Sequence, residues 1–414
     1  MKRKTSYFDT DYLLVIILLV FSGDPITRFM GKFILPVLSM VIFVAMYKRM
    51  KKDFYIAFLC VTAAMLLLFT CQYFILGYVS WLGSFNYINT IFFGGMIIYL
   101  LGDRLSYKFF VIMSYIATIS LILFIPLNLL SIHVPGFEWK PDRITYIIYT
   151  FVEQHHYRNC GLFWEPGAFS GILILCIALN IRQLPQLWKY HKFKVFVIVL
   201  ALITTQSTTG YLILFVIGSY FLLFFVKDKT IAFTMLPLLL IVGIVVYTNA
   251  AFLADKVEHQ SESTAVLDKG EFSNSRFGSF VFDMTYIKKH PVIGNGFNEI
   301  TRYADNPEII QLIQMGQDPA NGNGLSNFMA CLGIPFVFIY ILLSYKAMLT
   351  IDKKVAILVT LVITLSLISE QWLTYPLFTG IIFFTNKKKF FNGSNQYSRV
   401  TNLPQPQRQN FNVS

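Results

Sequence analysis

The chain has 414 residues, of which 56% are apolar and only 14% charged, against roughly 25% charged in ordinary soluble domains. With a mean hydropathy of +0.60, that composition argues against a soluble enzyme and for a polytopic membrane protein. The net charge of +12 is scattered over the turns between apolar segments and forms no basic stripe with interleaved aromatics, which argues against nucleic acid as a partner.

About 20 apolar residues cross the hydrocarbon core as a helix, and an open sheet there would leave backbone groups unsatisfied, so the expected fold class is all-α. Apolar segments at 9–22, 33–47, 54–77, 87–101 and 109–130 form an N-terminal block, residues 1–130. A second block, 168–248, holds 168–182, 194–207, 209–226 and 231–249, and a third, 327–386, holds 327–346, 355–369 and 373–386. That makes about twelve transmembrane helices. Two long polar loops, 131–167 and 249–326, lie between the blocks, and the polar tail 387–414, without helical period, is expected to be disordered.

Basic residues cluster on one side of this arrangement: Lys2, Arg3 and Lys4; Lys48, Arg49, Lys51 and Lys52; Arg104 and Lys108; Arg182, Lys189, Lys192 and Lys194; Lys227 and Lys229; Lys346, Lys353 and Lys354; Lys387 to Lys389. The positive-inside rule makes that side cytoplasmic, with both termini in it and both long loops outside. The first span has no small-residue exit before Asp24, Pro25 and Arg28, so it is expected to be an anchor and not a cleaved signal. Cys60, Cys71, Cys176 and Cys331 fall in or beside spans, leaving Cys160 alone outside with no loop cysteine to bridge to. No Cys/His spacing suggests a metal and no phosphate-binding P-loop is present, so no metal or cofactor is expected.

The first loop ends on residues 155–171, HHYRNCGLFWEPGAFSG. Pro166 and Gly167 suit a tight turn or a helix start, and in the second case Glu165 lies near the positive end of that helix. Arg158 and Glu165 then stand at the mouth of a bundle, and ionisable groups beside a membrane core are a functional signal unless they form an ordinary interfacial salt bridge. Trp164 fits the aromatic belt of the interface. His155 and His156 suit either phosphate binding or a solvated loop.

The second loop changes character at Arg276. Apolar residues at helical spacing (Phe280, Met284, Ile287) predict an amphipathic helix on the membrane, followed by the turn HPVIGNGF, in which Gly294 and Gly296 would let backbone approach a ligand. Arg276 suits a phosphate ligand, because a guanidinium grips an oxyanion with two parallel bonds, or a solvated helix start. Lys288 and Lys289 suit head groups or water. Asn321, Asn323 and Asn327 carry amides into the next span, able to bond sugar hydroxyls or a neighbouring helix.

Three pieces together resemble a known arrangement. Arg158, Gly161, Glu165 and Pro166 before a span, Arg276 followed by His290, Pro291, Gly294 and Gly296, and Asn323 ten residues before Gly333 resemble the membrane polymerases and ligases of O-antigen and related bacterial polysaccharides. The stretch 204–210, TTQSTTG, also resembles the short Ser/Thr-Gly turn between two spans in that superfamily. The resemblance covers about 150–345. It implies a protein of the bacterial inner membrane, with the loops in the periplasm. The implied reaction is metal-independent, inverting transfer of a glycan from undecaprenyl diphosphate to a sugar hydroxyl, for O-antigen and lipopolysaccharide synthesis. It also implies a chain-length regulator as a partner. Arg158, Glu165 and Arg276 would be catalytic, and His156, Gly161, His290, Gly294, Gly296, Asn321, Asn323 and Asn327 would bind substrate. Ligases of the superfamily carry a His just before the Asn of the last motif; here that position is Gly322, which favours polymerase over ligase.

The chemistry fits these residues. An arginine pair can stabilise the charge that builds as a lipid diphosphate leaves. Glu165 is the best placed proton acceptor for the attacking hydroxyl, with Asp283 and Glu299 as alternatives, or it only orients Arg158. A flippase would need ionisable residues inside its spans, which are nearly uncharged here, and a membrane acyltransferase would need a His beside Asp or Asn at a helix.

Overall fold

The computed structural model describes residues 9–132, 135–140, 143–153, 156–249, 276–314 and 323–385. It is mostly helical. Helices Thr10–Val20, Pro25–Met46, Lys52–Leu76, Trp81–Leu101 and Leu105–Phe124 lie on the first five expected segments. Their starts follow local chemistry: the Asp24 carboxylate accepts from Thr27 N at 2.9 Å, with Pro25 in the first turn, and Ser80 Oγ accepts from Gly83 N. Each side-chain oxygen takes up an N–H that has no partner inside its helix.

Two helical runs, Lys52–Leu76 and Trp81–Leu129, are long and apolar enough to cross a membrane. Counting the bent pairs Pro166–Leu179 with Ile181–Tyr190 and Gly324–Leu332 with Ile334–Leu349 as one span each raises the number to four. Large apolar side chains point outward along the helices, with Phe33, Phe74 and Leu82 at 81%, 79% and 71% exposed. Water disfavours such a surface and lipid tails accept it, which is compatible with membrane association.

Three expectations are corrected. The segment 327–346 is not one straight helix, because the chain turns through 119° at Gly333. Of the segment 373–386, the described residues 373–385 hold only the five-residue helix Pro376–Gly380 and short turns. Its apolar residues are core: Leu377, Phe378 and Ile381 are all buried, and Gly380 meets Gly94 of Trp81–Leu101 so closely that an added Cβ would lie 2.3 Å from the Gly94 carbonyl carbon. The fold is also not purely helical. The first loop carries an antiparallel sheet in the order β1 (Phe137–Lys140), β2 (Arg143–Tyr146), β3 (Tyr149–Val152), with Arg143 opposite Val152 and Ile144 opposite Phe151. Four-residue strands are too short to show a period of two against a background of helix-length apolar runs.

Helix Pro166–Leu179 is the centre of the bundle, buried at nearly every position. It packs against Leu105–Phe124, Lys192–Thr204, Thr208–Phe224 and Lys353–Ser369. Its first turn therefore brings Glu165 to the middle of the bundle mouth.

Candidate active site

The loop before Pro166 is held by amides. Asn128 Nδ2 donates to the carbonyls of His156 at 2.6 Å and Arg158 at 3.2 Å, while its Oδ1 accepts from Tyr149 Oη of β3 at 2.6 Å. Asn159 is fully buried; its Nδ2 donates to Ser120 Oγ and Thr204 Oγ1, and its Oδ1 accepts from Gly161 N. Gly161, at φ +54°, accepts from Thr150 N of β3 and lies under Phe169, whose ring an added Cβ would meet at 2.9 Å. Gly161 thus packs against protein backbone and ring. Burial pushes the Cys160 thiol up to about 12, which suits an inert core cysteine and not a nucleophile.

The stretch 204–210 spans the turn between helices Lys192–Thr204 and Thr208–Phe224, and both predicted arginines bond to it. Arg158, only 6% exposed, donates from Nε to the Thr205 carbonyl at 3.1 Å. Arg276, the first residue of helix Arg276–Lys289, donates from Nη1 to Thr209 Oγ1 at 2.9 Å. A guanidinium has five N–H donors, and among the described residues one hydrogen bond holds each of the two arginines. Burial lowers the pKa of Arg158, and the nearby Arg276 charge acts in the same direction.

Glu165 faces these cations. Arg143 on β2 reaches it, Nη2 to Oε2 at 3.9 Å, and donates from Nη1 to the Trp164 carbonyl at 3.0 Å. A second carboxyl, that of Glu370, comes near the same helix start: a Cβ added at Gly167 would lie 2.6 Å from Glu370 Oε1 and 3.5 Å from Glu165 Oε1. Burial alone would raise the Glu165 pKa, but the Glu370 side chain and the charges of Arg143, Arg276 and Arg158 hold it below the usual carboxylate range. Trp164, expected at the interface, is 5% exposed instead and stacks on Tyr375 with centroids 4.5 Å apart.

Further residues form a second cluster. Asp283 is fully buried and accepts from Ser326 Oγ at 2.5 Å. Asn323 caps helix Gly324–Leu332 through Ser326 N, and Asn327 Oδ1 accepts from the buried Arg302 Nη1 at 3.0 Å. Glu299 lies 3.8 Å from Arg302 Nη2. Asp283 and Glu299 thus face Arg302 and not the arginines of the first group. The two clusters adjoin where Gly324 lies against the Glu370 carbonyl, 2.0 Å from an added Cβ.

Gly294 does not hold open a ligand site. Gly294, at φ +69°, has the Cys331 carbonyl carbon 2.4 Å from an added Cβ, and Gly333, at φ +87°, has the Val292 carbonyl oxygen at 2.0 Å. Gly296 N donates to the Cys331 carbonyl, and Gln72 Nε2 bonds both Ile293 and Cys331 carbonyls. The backbone that Gly294 admits is the protein's own. His290 is half-buried beside this turn and His156 is exposed. His155, Asn321, Gly322, the stretch 250–275 and the tail lie outside the described residues. Among the described residues, no group of three His, Cys, Asp or Glu side chains is placed to hold a metal ion.

Sequence reasoning missed Arg143, Arg302 and Glu370. Glu370 carried the signal that recommended Glu165, a carboxylate beside a tryptophan at the end of an apolar segment. The sequence matches no protein-family model, and no curated protein matches it.

Proposed function

We propose that the chain is a membrane glycosyltransferase of the O-antigen polymerase type. It transfers a glycan from undecaprenyl diphosphate to a sugar hydroxyl of another lipid-linked repeat unit. In this reading the shorter helices also cross the bacterial inner membrane, to give about twelve spans, with both termini cytoplasmic and the arginine site periplasmic. A chain-length regulator would act with it.

The supporting observation is that Arg158 and Arg276, from two loops far apart in sequence, are anchored on one turn and face one ionised carboxylate. The acceptor hydroxyl attacks the anomeric carbon from the face opposite the diphosphate, forming one C–O bond as the other breaks, with inversion. The hydroxyl proton passes to Glu165. The diphosphate leaves with its charge stabilised by the guanidiniums, which are fixed before the reaction and need no reorganisation.

Deletion of the gene, followed by gel separation of the surface polysaccharide, tests this. A core carrying a single repeat unit is the expected result. A bare core with accumulated lipid-linked polymer would make the protein a ligase, and repeat units trapped on the cytoplasmic leaflet would make it a transporter.

A further inference from the structure

Arg143 opens β2, and the sheet fixes where its side chain starts. It pairs with Val152 of β3, while Ile144 pairs with Phe151 and Thr145 with Thr150. β3 in turn is bound to the protein on both sides of the loop before the central helix: Thr150 N donates to the Gly161 carbonyl at 2.7 Å, and Tyr149 Oη donates to Asn128 Oδ1 at 2.6 Å. From that frame the guanidinium reaches two consecutive residues. Nη1 donates to the Trp164 carbonyl at 3.0 Å, and Nη2 lies 3.9 Å from Glu165 Oε2. At that distance the cation favours the charge through space, without the short bond of about 2.7–2.9 Å that would tie up an oxygen lone pair. The other charged and titratable groups facing Glu165 are Arg158 and Cys160 of the first loop, Arg276 of the second, and Glu370 beside Gly167. Arg158 and Arg276 bond to the turn within 204–210, whereas Arg143 bonds to the main chain that leads directly into Glu165.

We propose that Arg143 is a positioning residue for glycosyl transfer: held on the Trp164 carbonyl, it aims the Glu165 carboxylate at the acceptor hydroxyl. The inference rests on the transferase reading above. As the new C–O bond forms and the bond to diphosphate breaks, the hydroxyl proton moves to Glu165, which then returns it to water. A cation beside a carboxylate favours its charged form, so Arg143 also keeps Glu165 able to accept a proton further into the acid range. Without that cation, Glu165 becomes protonated and idle at a higher pH.

The test uses membranes carrying the full chain, supplied with the lipid-linked oligosaccharide that accumulates in the deletion strain, with polymer formation followed from acid to neutral pH. Arg143→Gln and Arg143→Met both remove the charge, and whichever reaches the membrane at normal abundance is read. Its rate at neutral pH should fall at least about tenfold, because the base is no longer aimed. Its acid-side fall should move up by about half a pH unit or more, because the carboxylate has lost a cation. Arg143→Lys keeps the charge but not the fork, so its acid-side fall should stay where the wild type has it while its rate lies between the two. An uncharged variant with the wild-type rate overturns the proposal. So does one that is slower at normal abundance with its acid-side fall unmoved, the result a merely structural arginine would give. Either outcome, with Glu165→Gln, Arg158→Ala and Arg276→Ala inactive, leaves the transferase reading standing. Absence of polymer from the wild type removes the transferase reading itself.

Discussion

Arg276 donates from Nη1 to Thr209 Oγ1 at 2.9 Å, which fixes the second loop on the turn that already holds Arg158 through the Thr205 carbonyl. Thr209→Val keeps the side-chain shape and removes the acceptor. Polymer formation should fall on the order of tenfold with normal protein in the membrane, because a hydrogen bond to a charged group contributes roughly 1.5–3 kcal/mol. An unchanged ladder would mean that Arg276 is not positioned by this turn.

Asp283 ties helix Arg276–Lys289 to Ser326, with Arg302 as the nearby cation. Burial pushes its carboxyl from an ordinary 3.8 up to about 7. The folded state thus binds the proton more tightly than the unfolded chain. The stabilisation is complete below about pH 4 and is lost as pH rises through about 7. Hydrogen exchange in residues 276–289 should be faster in wild type than in Asp283→Asn at about pH 8, and alike in the two at about pH 5. A wild type better protected than the variant at the higher pH would contradict this assignment.

The two glycines of the second-loop turn should behave differently. Gly294→Ala drives Cβ into the Cys331 backbone at a positive φ, so abundance should drop sharply. Gly296→Ala, at φ +78°, has Gln72 Oε1 no nearer than 3.7 Å and meets only the backbone strain, so a milder loss is expected. Quantitative immunoblots of membranes check the order. Equal abundance with activity lost only in Gly294→Ala would restore a ligand role for that glycine.

Much of this arrangement was legible in the sequence because it depends on local chemistry. Of the tight turn or helix start that Pro166 allows, the structure takes the helix start, and a turn lies within the stretch 204–210, between Thr204 and Thr208. What escaped needs contacts between distant segments. Arg143 lies on a strand too short to read, and its relation to Glu165 is created by the sheet folding back through Thr150 and Gly161. Glu370 falls in the break between two expected spans; its side chain comes beside Gly167, some two hundred residues earlier, because that position has no side chain. The segment 373–386 was apolar enough to resemble a span because burial in protein and burial in lipid select the same residues.

The proposed topology, which rests on the charge bias, has its own test. Reporter fusions after Lys52, Lys192 and Lys389 should read as cytoplasmic, and fusions near Pro141 and Asp268 as external. A cytoplasmic signal from Asp268 would separate the two loops that supply the arginines and remove the shared outer site.

The central claim is that Arg158 and Arg276 together hold the leaving diphosphate, and the polysaccharide ladder of the single variants tests it most directly. Replacement by Lys keeps the charge but loses the planar fork, so each Lys variant should lose about an order of magnitude or more in rate, and each Ala variant more. Lys288→Ala and Lys289→Ala are the controls: Lys288 is exposed and Lys289 pairs with the exposed Asp305, a kind of pair that contributes little, so both should make near-normal ladders. Shortened or absent ladders in both arginine series, with normal protein in the membrane, are the predicted result. Near-normal ladders from Arg158→Ala and Arg276→Ala would contradict it.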